Sequence, residues 1–266
     1  AALCGLLALL APEARRPAVL GWLLATLCTA MLACSAPVEE TGRGPETLVE
    51  WMSGSFASTR QAAAAMTDRD NEINGICLRG KAGWGEGGAF ITVTGNSFGA
   101  RWFDEDWNAQ FDTPQWKNAL EFYVNLMNDY GPEGYATNGF NENLSLFQQG
   151  KCGMWIDATV AASFVTNPKD STVADKVGFA LAPNTGKGKN ANWLWAWALA
   201  IPAGTQKAEE ARQFIEWATS KDYIELVAAK EGWANVPPGA RTSLYENPEY
   251  QKVPFAKMTL DSILSA

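Results

Sequence analysis

The stretch of sequence that decides the fold is Asn192–Pro202, which reads N-W-L-W-A-W-A-L-A-I-P. Bulky and small residues alternate along it with a period of two. That period predicts a β-strand, because successive side chains of a strand point to opposite faces. One face would carry three tryptophans and two aliphatic residues: Trp193, Trp195, Trp197, Leu199 and Ile201. We expect such a strand to lie under helices rather than in water.

The tryptophans of this strand allow two interpretations. An aromatic core strand is one, although three indoles on one face are unusual in a core because each buried N–H needs a partner. A flat aromatic surface at the mouth of a cleft is the other, and such surfaces hold the C–H faces of sugars and polyols. Three further tryptophans favour the second interpretation, since they stand beside glycine and polar residues at predicted loops or strand ends: Trp84, Trp155 and Trp233.

The composition of the chain excludes several classes of function. With 266 residues, 47% of them hydrophobic, the chain is globular and can build a core. A formal charge of −8 argues against a nucleic-acid or anionic-membrane partner, which would need a basic face. Histidine is absent and the five cysteines show no C-x-x-C spacing. We therefore expect neither a metal nor a cofactor.

Residues 1–34 resemble a bacterial export signal that ends in a lipoprotein box. Arg15 and Arg16 would form its positive region, Val19–Met31 its apolar region, and Cys34 its lipidation site. A membrane-spanning helix is the alternative, but the prolines and arginines leave each apolar run shorter than the ~20 residues that a span requires. The segment predicts a periplasmic location with a lipid anchor on Cys34.

Residues 35–64 predict a tether followed by a fragment of a second family. Leu48–Ala64 resembles the opening of the CpcT/CpeT phycobiliprotein lyase-like family, which begins a small β-barrel. The resemblance stops in the alanine run Ala62–Ala65. We therefore expect a domain boundary there, with a separate α/β unit over residues 65–266.

Strands and helices alternate in the pattern beyond Ala65, which is typical of an α/β fold. Periodicity and capping signals predict strands over 76–78, 152–156 and 177–182, and helices over 90–98, 114–130, 141–149, 207–219 and 221–230. Asp157 follows one of these strands at its carboxyl end, where ligands sit in open α/β sheets. It could equally be the N-cap of a helix over 158–164, and the two roles are compatible.

Several motifs in one order identify a family for residues 65–266. They are GICLRGKAGWGE at 75–86, NSFGARWF at 96–103, GKCGMWIDAT at 150–159, the tryptophan strand, and EGWANVP at 231–237. This part of the chain resembles the polyol-binding (sorbitol/mannitol) members of the extracellular solute-binding protein family 1. The resemblance implies an α/β fold like that of the type II periplasmic binding proteins, with one lobe substantially present and truncated at both ends.

The resemblance also implies a function and a set of ligand contacts. The function is that of a non-enzymatic, cofactor-free substrate-binding component that delivers a polyol or sugar to the membrane subunits of an ABC importer. The implied ligand-binding residues are Arg79, Trp84, Glu86, Trp155, Asp157, Trp193, Trp195 and Trp233, with Asn235 behind them. With a single lobe, we expect this chain to bind polyol poorly and to self-associate through its open aromatic face.

Three questions stay open from the sequence alone. A carbohydrate-active enzyme could use Glu86 and Asp157 as an acid and base ~5 to 9.5 Å apart. A non-functional fusion of a lipoprotein start with a binding-protein fragment is another alternative. Cys77 and Cys152 lie on separate predicted strands, where an oxidising compartment would let them form a disulfide; buried, reduced thiols are the alternative.

Overall fold

The computed structural model describes residues 56–186, 192–239 and 241–266, together with two short strands within residues 3–9. The strands are β1 (Leu3–Cys4), β2 (Leu7–Leu9), β3 (Asn74–Cys77), β4 (Cys152–Trp155), β5 (Gly178–Ala180) and β6 (Asn192–Trp193). The helices are α1 (Phe56–Met66), α2 (Gly87–Phe98), α3 (Pro114–Tyr130), α4 (Phe140–Gln148), α5 (Ala161–Val165), α6 (Ala208–Ala218), α7 (Lys221–Glu231), α8 (Thr242–Tyr245), α9 (Pro248–Gln251) and α10 (Ala256–Leu264). The predicted apolar region, Cys34 and the tether lie outside the described residues.

A four-stranded sheet in the order β3-β4-β2-β5 forms the centre of the fold. β3 and β4 are parallel, with Ile76 opposite Met154. β2 runs antiparallel to both β4 and β5, and β1 pairs antiparallel with β6. The structure thus uses Leu3–Cys4 and Leu7–Leu9, which the sequence assigns to an export signal, as strands.

Helices cover both faces of this sheet, because β3 and β4 alternate between two separate clusters of buried side chains. Ile76 of β3 and Met154 of β4 pack into one cluster with residues of α1, α2 and α3. Cys77 and Trp155 point the other way, into a cluster with α4, α5 and the carboxyl-terminal helices. Parallel strands buried on both faces are characteristic of α/β proteins, and the predicted fold class is confirmed.

The predicted domain boundary at residues 64–65 is wrong, because it cuts through α1. Thr59, Ala62 and Ala63 of this helix are fully buried. A side chain at Gly75 of β3 would lie 1.9 Å from the Ala63 carbonyl oxygen, so the strand passes directly against the helix. The alanine run that looked like the junction of two fragments is the face of α1 that packs on the sheet.

Most of the predicted helices are confirmed, although α5 differs. Pro114 occupies the first turn of α3 and Gly131 follows its end, as the sequence predicts. Ser220 caps α7 through a hydrogen bond from the Tyr223 amide to its hydroxyl. α5 begins only at Ala161, so Asp157 is not its N-cap.

The tryptophan stretch is a strand only over its first two residues, Asn192–Trp193. β6 pairs with β1 over two residues, and within the described part of the chain no strand continues the ladder beyond Trp193. The expected burial is also wrong: Trp197 is 81% exposed and Leu199 is 56% exposed. Alternation predicts which residues share a face, but it cannot supply the neighbouring strand that a ladder needs.

The helix predicted over residues 207–219 is present as α6, but its apolar face is not buried. α6 has no buried residue, and Phe214 on its apolar face is 58% exposed. Its polar side is organised by Arg212, which pairs with Glu209 and Glu216. α6 is therefore amphipathic but has its apolar side open.

Cys77 of β3 and Cys152 of β4 are joined by a disulfide across 75 residues of sequence. Of the two alternatives that the sequence left open, this is the one present in the structure. Both cysteines are fully buried, so the crosslink lies in the core between the two parallel strands.

Candidate functional site

Arg79 and Asp157 meet at the carboxyl edge of the two parallel strands, because each follows its strand by two residues. Arg79 Nε donates to Asp157 Oδ2 at 2.8 Å, and Arg79 Nη2 donates to Asp157 Oδ1. This is the two-pronged guanidinium–carboxylate geometry, which is stronger and more directional than a single contact. The edge at which the sequence predicted a site therefore holds a buried ion pair.

The Asp157 carboxylate has no oxygen left for a ligand. Besides its two bonds from Arg79, it accepts from the Trp155 indole Nε1 at 3.1 Å and from the Ala158 amide at 2.6 Å. The residue is 4% exposed. The expectation that Asp157 contacts ligand is corrected by this arrangement, and the same saturation counts against its use as a catalytic acid or base.

The guanidinium of Arg79 also uses its donors in contacts within the protein. Its Nη1 donates to the Gly85 carbonyl oxygen at 2.6 Å and lies 3.6 Å from Glu86 Oε2. The guanidinium also lies over the Phe140 ring, 5.0 Å from its centroid. Burial lowers the pKa of Arg79, but its hydrogen bonds to Asp157 and the charges of both carboxylates outweigh burial, so the pKa is raised.

Glu86 connects this ion pair to the first turn of α4. Its Oε2 accepts the Phe140 amide at 3.0 Å, and a side chain at Gly139 would lie 2.5 Å from that oxygen. A carboxylate at a helix N-terminus is stabilised by the unpaired N–H groups and the helix dipole. About a third of the Glu86 side chain, 32%, stays exposed, so Glu86 can still reach a ligand.

Four tryptophans form a series of ring contacts, which we call the tryptophan wall: Trp84 and Trp197, which are exposed, and Trp193 and Trp195, which are half-buried. Ring centroids are 4.9 Å apart for Trp84 and Trp195, 5.4 Å for Trp193 and Trp195, and 5.5 Å for Trp195 and Trp197. Trp84 is 67% exposed. The structure therefore brings together tryptophans from two separate motifs.

Trp155, Trp233 and Asn235 do not extend the wall in the way the sequence suggested. Trp155 is fully buried, with ring contacts to Phe140 and Phe147, so the expectation that it offers a stacking face is wrong. Its strand is covered on both sides, and its N–H is used by Asp157. Trp233 packs half-buried against the core, and the Asn235 side chain donates to the Glu231 carbonyl oxygen at 2.6 Å.

Sequence reasoning missed Lys81 and Glu142, which lie beside Glu86. Lys81 Nζ is 3.8 Å from Glu142 Oε1, and Glu142 Oε2 accepts the Gly139 amide at 2.8 Å. That backbone hydrogen bond, helped by Lys81, holds the pKa of Glu142 below its usual value. The signal was present in the G-F-N-E run, since a glutamate three residues after an N-cap residue can accept the amide of that residue.

Neither a metal nor a membrane span is indicated for the part of the chain that the structure describes. Its cysteine, aspartate and glutamate side chains form no group of three or more that could hold a metal ion. Among the same residues, no helix has the length and apolar character needed to cross a bilayer. The chemistry offered at this edge is aromatic stacking beside a carboxylate and an ammonium group.

An α/β fold with contacting tryptophans beside the loop after β3 suits a solute-binding protein. The chain belongs to the bacterial extracellular solute-binding protein family, which it matches over residues 58–225. A mannitol-binding protein of Pseudomonas aeruginosa is 53% identical over 201 residues, which cover 76% of this chain and 46% of the relative.

Solved structures place the fold in the same class. An ABC transporter solute-binding protein of Agrobacterium vitis with bound D-mannitol is 56% identical, with a TM-score of 0.81 over 100% of this chain and 57% of that one. A solute-binding protein of Agrobacterium radiobacter in complex with ribitol shares the fold at 21% identity, with a TM-score of 0.74 over 100% of this chain and 58% of that one. The chain spans about half the length of these relatives.

Proposed function

We propose that this chain supplies a sugar-alcohol-binding surface of a substrate-binding protein for an ABC importer, and that the ligand stacks on the tryptophan wall. The observation that carries the proposal is the contact between the rings of the exposed Trp84 and the half-buried Trp195, whose centroids are 4.9 Å apart. The two relatives above 50% identity are a mannitol-binding protein and a protein with bound D-mannitol, which supports a polyol as the ligand class.

The chemistry of the wall suits a polyol. The C–H faces of an extended sugar alcohol pack against indole rings, while a few polar groups fix its orientation through hydrogen bonds. Glu86, with an exposed part of its side chain, and the half-exposed Lys81 lie in the same loop as Trp84 and can take this role. The buried Arg79–Asp157 pair serves as a rigid base beneath them.

The wider setting follows from the same proposal. The protein acts outside the cytoplasm, binds without catalysis, and passes its ligand to importer membrane subunits. Cys34 is its lipid-anchor site, which metabolic labelling with palmitate tests: Cys34→Ser should abolish the label. An unchanged label would remove the anchor and leave ligand binding untouched.

A chimera tests the polyol site most sharply. Residues 58–266 would replace the matching part of the Pseudomonas aeruginosa mannitol-binding protein, and calorimetry would measure D-mannitol affinity. Trp84→Ala and Trp195→Ala should each weaken binding more than tenfold, or about 1.4 kcal/mol. Trp107→Ala is the matched control, because Trp107 is 80% exposed and its ring contacts Phe103, outside the wall.

Two results would contradict the proposal. One is an unchanged affinity for both wall variants, which would make the wall a structural surface. The other is an equal loss for Trp107→Ala, which would indicate a general effect of removing exposed tryptophans. The 266-residue chain itself should bind mannitol more weakly than millimolar, because a wall this exposed stacks on one side of a ligand and does not exclude water.

A further inference from the structure

The loop over residues 80–88 joins the end of β3 to the start of α2 and carries Trp84 near its middle. Its backbone is closed by hydrogen bonds from the Gly87 amide to the Lys81 carbonyl oxygen at 2.9 Å, and from the Gly88 amide to the Gly83 carbonyl oxygen at 2.9 Å. At its start, the Gly80 amide donates to the Asn138 carbonyl oxygen at 2.9 Å. A further bond, from the Glu86 amide to the Gly83 carbonyl oxygen at 3.2 Å, closes the turn that carries Trp84. The bonds around Trp84 lie within the loop, so they shape the turn but do not connect it to β4.

The Arg79 side chain contacts the turn that carries Trp84. Its Nη1 donates to the carbonyl oxygen of Gly85, the residue directly after Trp84, at 2.6 Å. The same guanidinium also donates to the Asp157 carboxylate, which accepts further hydrogen bonds from the Trp155 indole and the Ala158 amide. The loop is therefore tied through one side chain to the carboxyl edge of β4.

The burial of Arg79 separates this role from ligand contact. Its side chain is 9% exposed, and its donors point at Asp157, Gly85 and Glu86. A ligand could reach the guanidinium only by displacing one of these partners. Trp84, by contrast, is 67% exposed, and its ring contacts the ring of Trp195.

We infer that Arg79 is a positioning residue that holds Trp84 against Trp195, and not a ligand contact. The inference deepens the proposed function, since the placement of Trp84 matters to a polyol only if the wall binds it. Lysine cannot replace arginine in this role. A single ammonium group cannot donate two parallel hydrogen bonds to a carboxylate and a third, in another direction, to a backbone carbonyl oxygen.

Circular dichroism reports the Trp84–Trp195 contact without any ligand. Two indoles this close couple their ultraviolet transitions, and subtracting the spectrum of Trp84→Phe isolates the contribution of this pair from the rest of the wall. Arg79→Lys should lower the amplitude of that difference spectrum by about half or more, because the loop loses the hydrogen bond from Arg79 to the Gly85 carbonyl oxygen. Arg101→Lys is the matched control, since Arg101 pairs with Glu105 at an exposed site, and it should leave the difference spectrum unchanged.

A difference spectrum in Arg79→Lys equal to that of the unsubstituted chain, with cooperative unfolding retained, would overturn the inference and make Arg79 a core ion pair alone. If Arg79→Lys does not fold, fluorine NMR of the unsubstituted chain with 5-fluorotryptophan decides. A single Trp84 resonance shifted from that of the unfolded chain supports a held ring, and one at the unfolded position contradicts it. Both readouts need no polyol, so they fail or succeed independently of mannitol binding by the chimera.

Discussion

Replacing Asp157 by asparagine should be among the most damaging conservative changes in this chain. Arg79 and Asp157 side chains are 9% and 1% exposed, and asparagine would leave the guanidinium buried beside a neutral amide. Its NH2 group would also point at donors that now meet a carboxylate oxygen. Removing one partner of a buried pair costs about 3–5 kcal/mol, mostly because the remaining charge is left unpaired.

Urea unfolding at neutral pH, followed by circular dichroism, measures this cost. With a slope of about 2 kcal/mol per molar urea, the midpoint of Asp157→Asn should fall by about 1.5–2.5 M. Asp129→Asn is the matched control: it breaks the Arg60–Asp129 pair, whose side chains are 45% and 42% exposed. That change should cost between 0 and about 1 kcal/mol. Equal losses for the two variants would refute the argument that burial makes the difference.

Three further outcomes are expected. Cys77→Ala with Cys152→Ala should lower the free energy of unfolding by about 4.5 kcal/mol, the chain-entropy value for a 75-residue loop; thiol labelling at both Cys77 and Cys152 in the unfolded, unreduced chain would show that the bridge is absent. The pKa of Glu142 is lowered from 4.5, so its contribution to stability is present above pH 4.5 and is lost as pH falls through the lower folded value. Glu142→Gln should reduce the dependence of the unfolding free energy on pH in that acid range, and an unchanged dependence would contradict the capping role. Gly95→Ala should cost about 1–3 kcal/mol by thermal unfolding, because its Cβ would lie 2.6 Å from the buried Trp116 ring; a gain in stability would show that the ring moves aside freely.

The sequence predicted the parts of the fold that local patterns control. The proline at the start of α3, the hydroxyl cap of α7 and the apolar runs of β3 and β4 each act within a few residues of themselves. Their positions follow from capping and periodicity, and the structure agrees with them within a few residues. The disulfide was one of two open alternatives, because sequence spacing does not fix which strands are neighbours.

The errors come from contacts between distant segments. Alternation along Asn192–Pro202 predicts a strand, but a ladder needs a partner that the described chain supplies for only two residues. The alanines of α1 look like a junction until β3 is seen packed on them. Asp157 looked available for a ligand because two of its four donors belong to Arg79, which lies 78 residues away in the sequence.

The candidate site also has features that the sequence predicted and features that it could not predict. That Trp84 and Trp195 belong to one surface was implied by family resemblance, and the structure places their rings in contact. That Arg79 and Trp155 are buried could not be read from residue type, since arginine and tryptophan serve equally well as ligand contacts. Burial and hydrogen-bond partners distinguish the two roles.

A crystal structure of the chimera with D-mannitol tests the account most directly. We expect the polyol carbon chain against the ring faces of Trp84 and Trp195, at about 4 Å, the distance of ordinary apolar contact. We also expect Arg79 to keep its bonds to Asp157 and Gly85, with no bond to the ligand. Mannitol bound away from both rings, or held directly by the Arg79 guanidinium, would contradict the account.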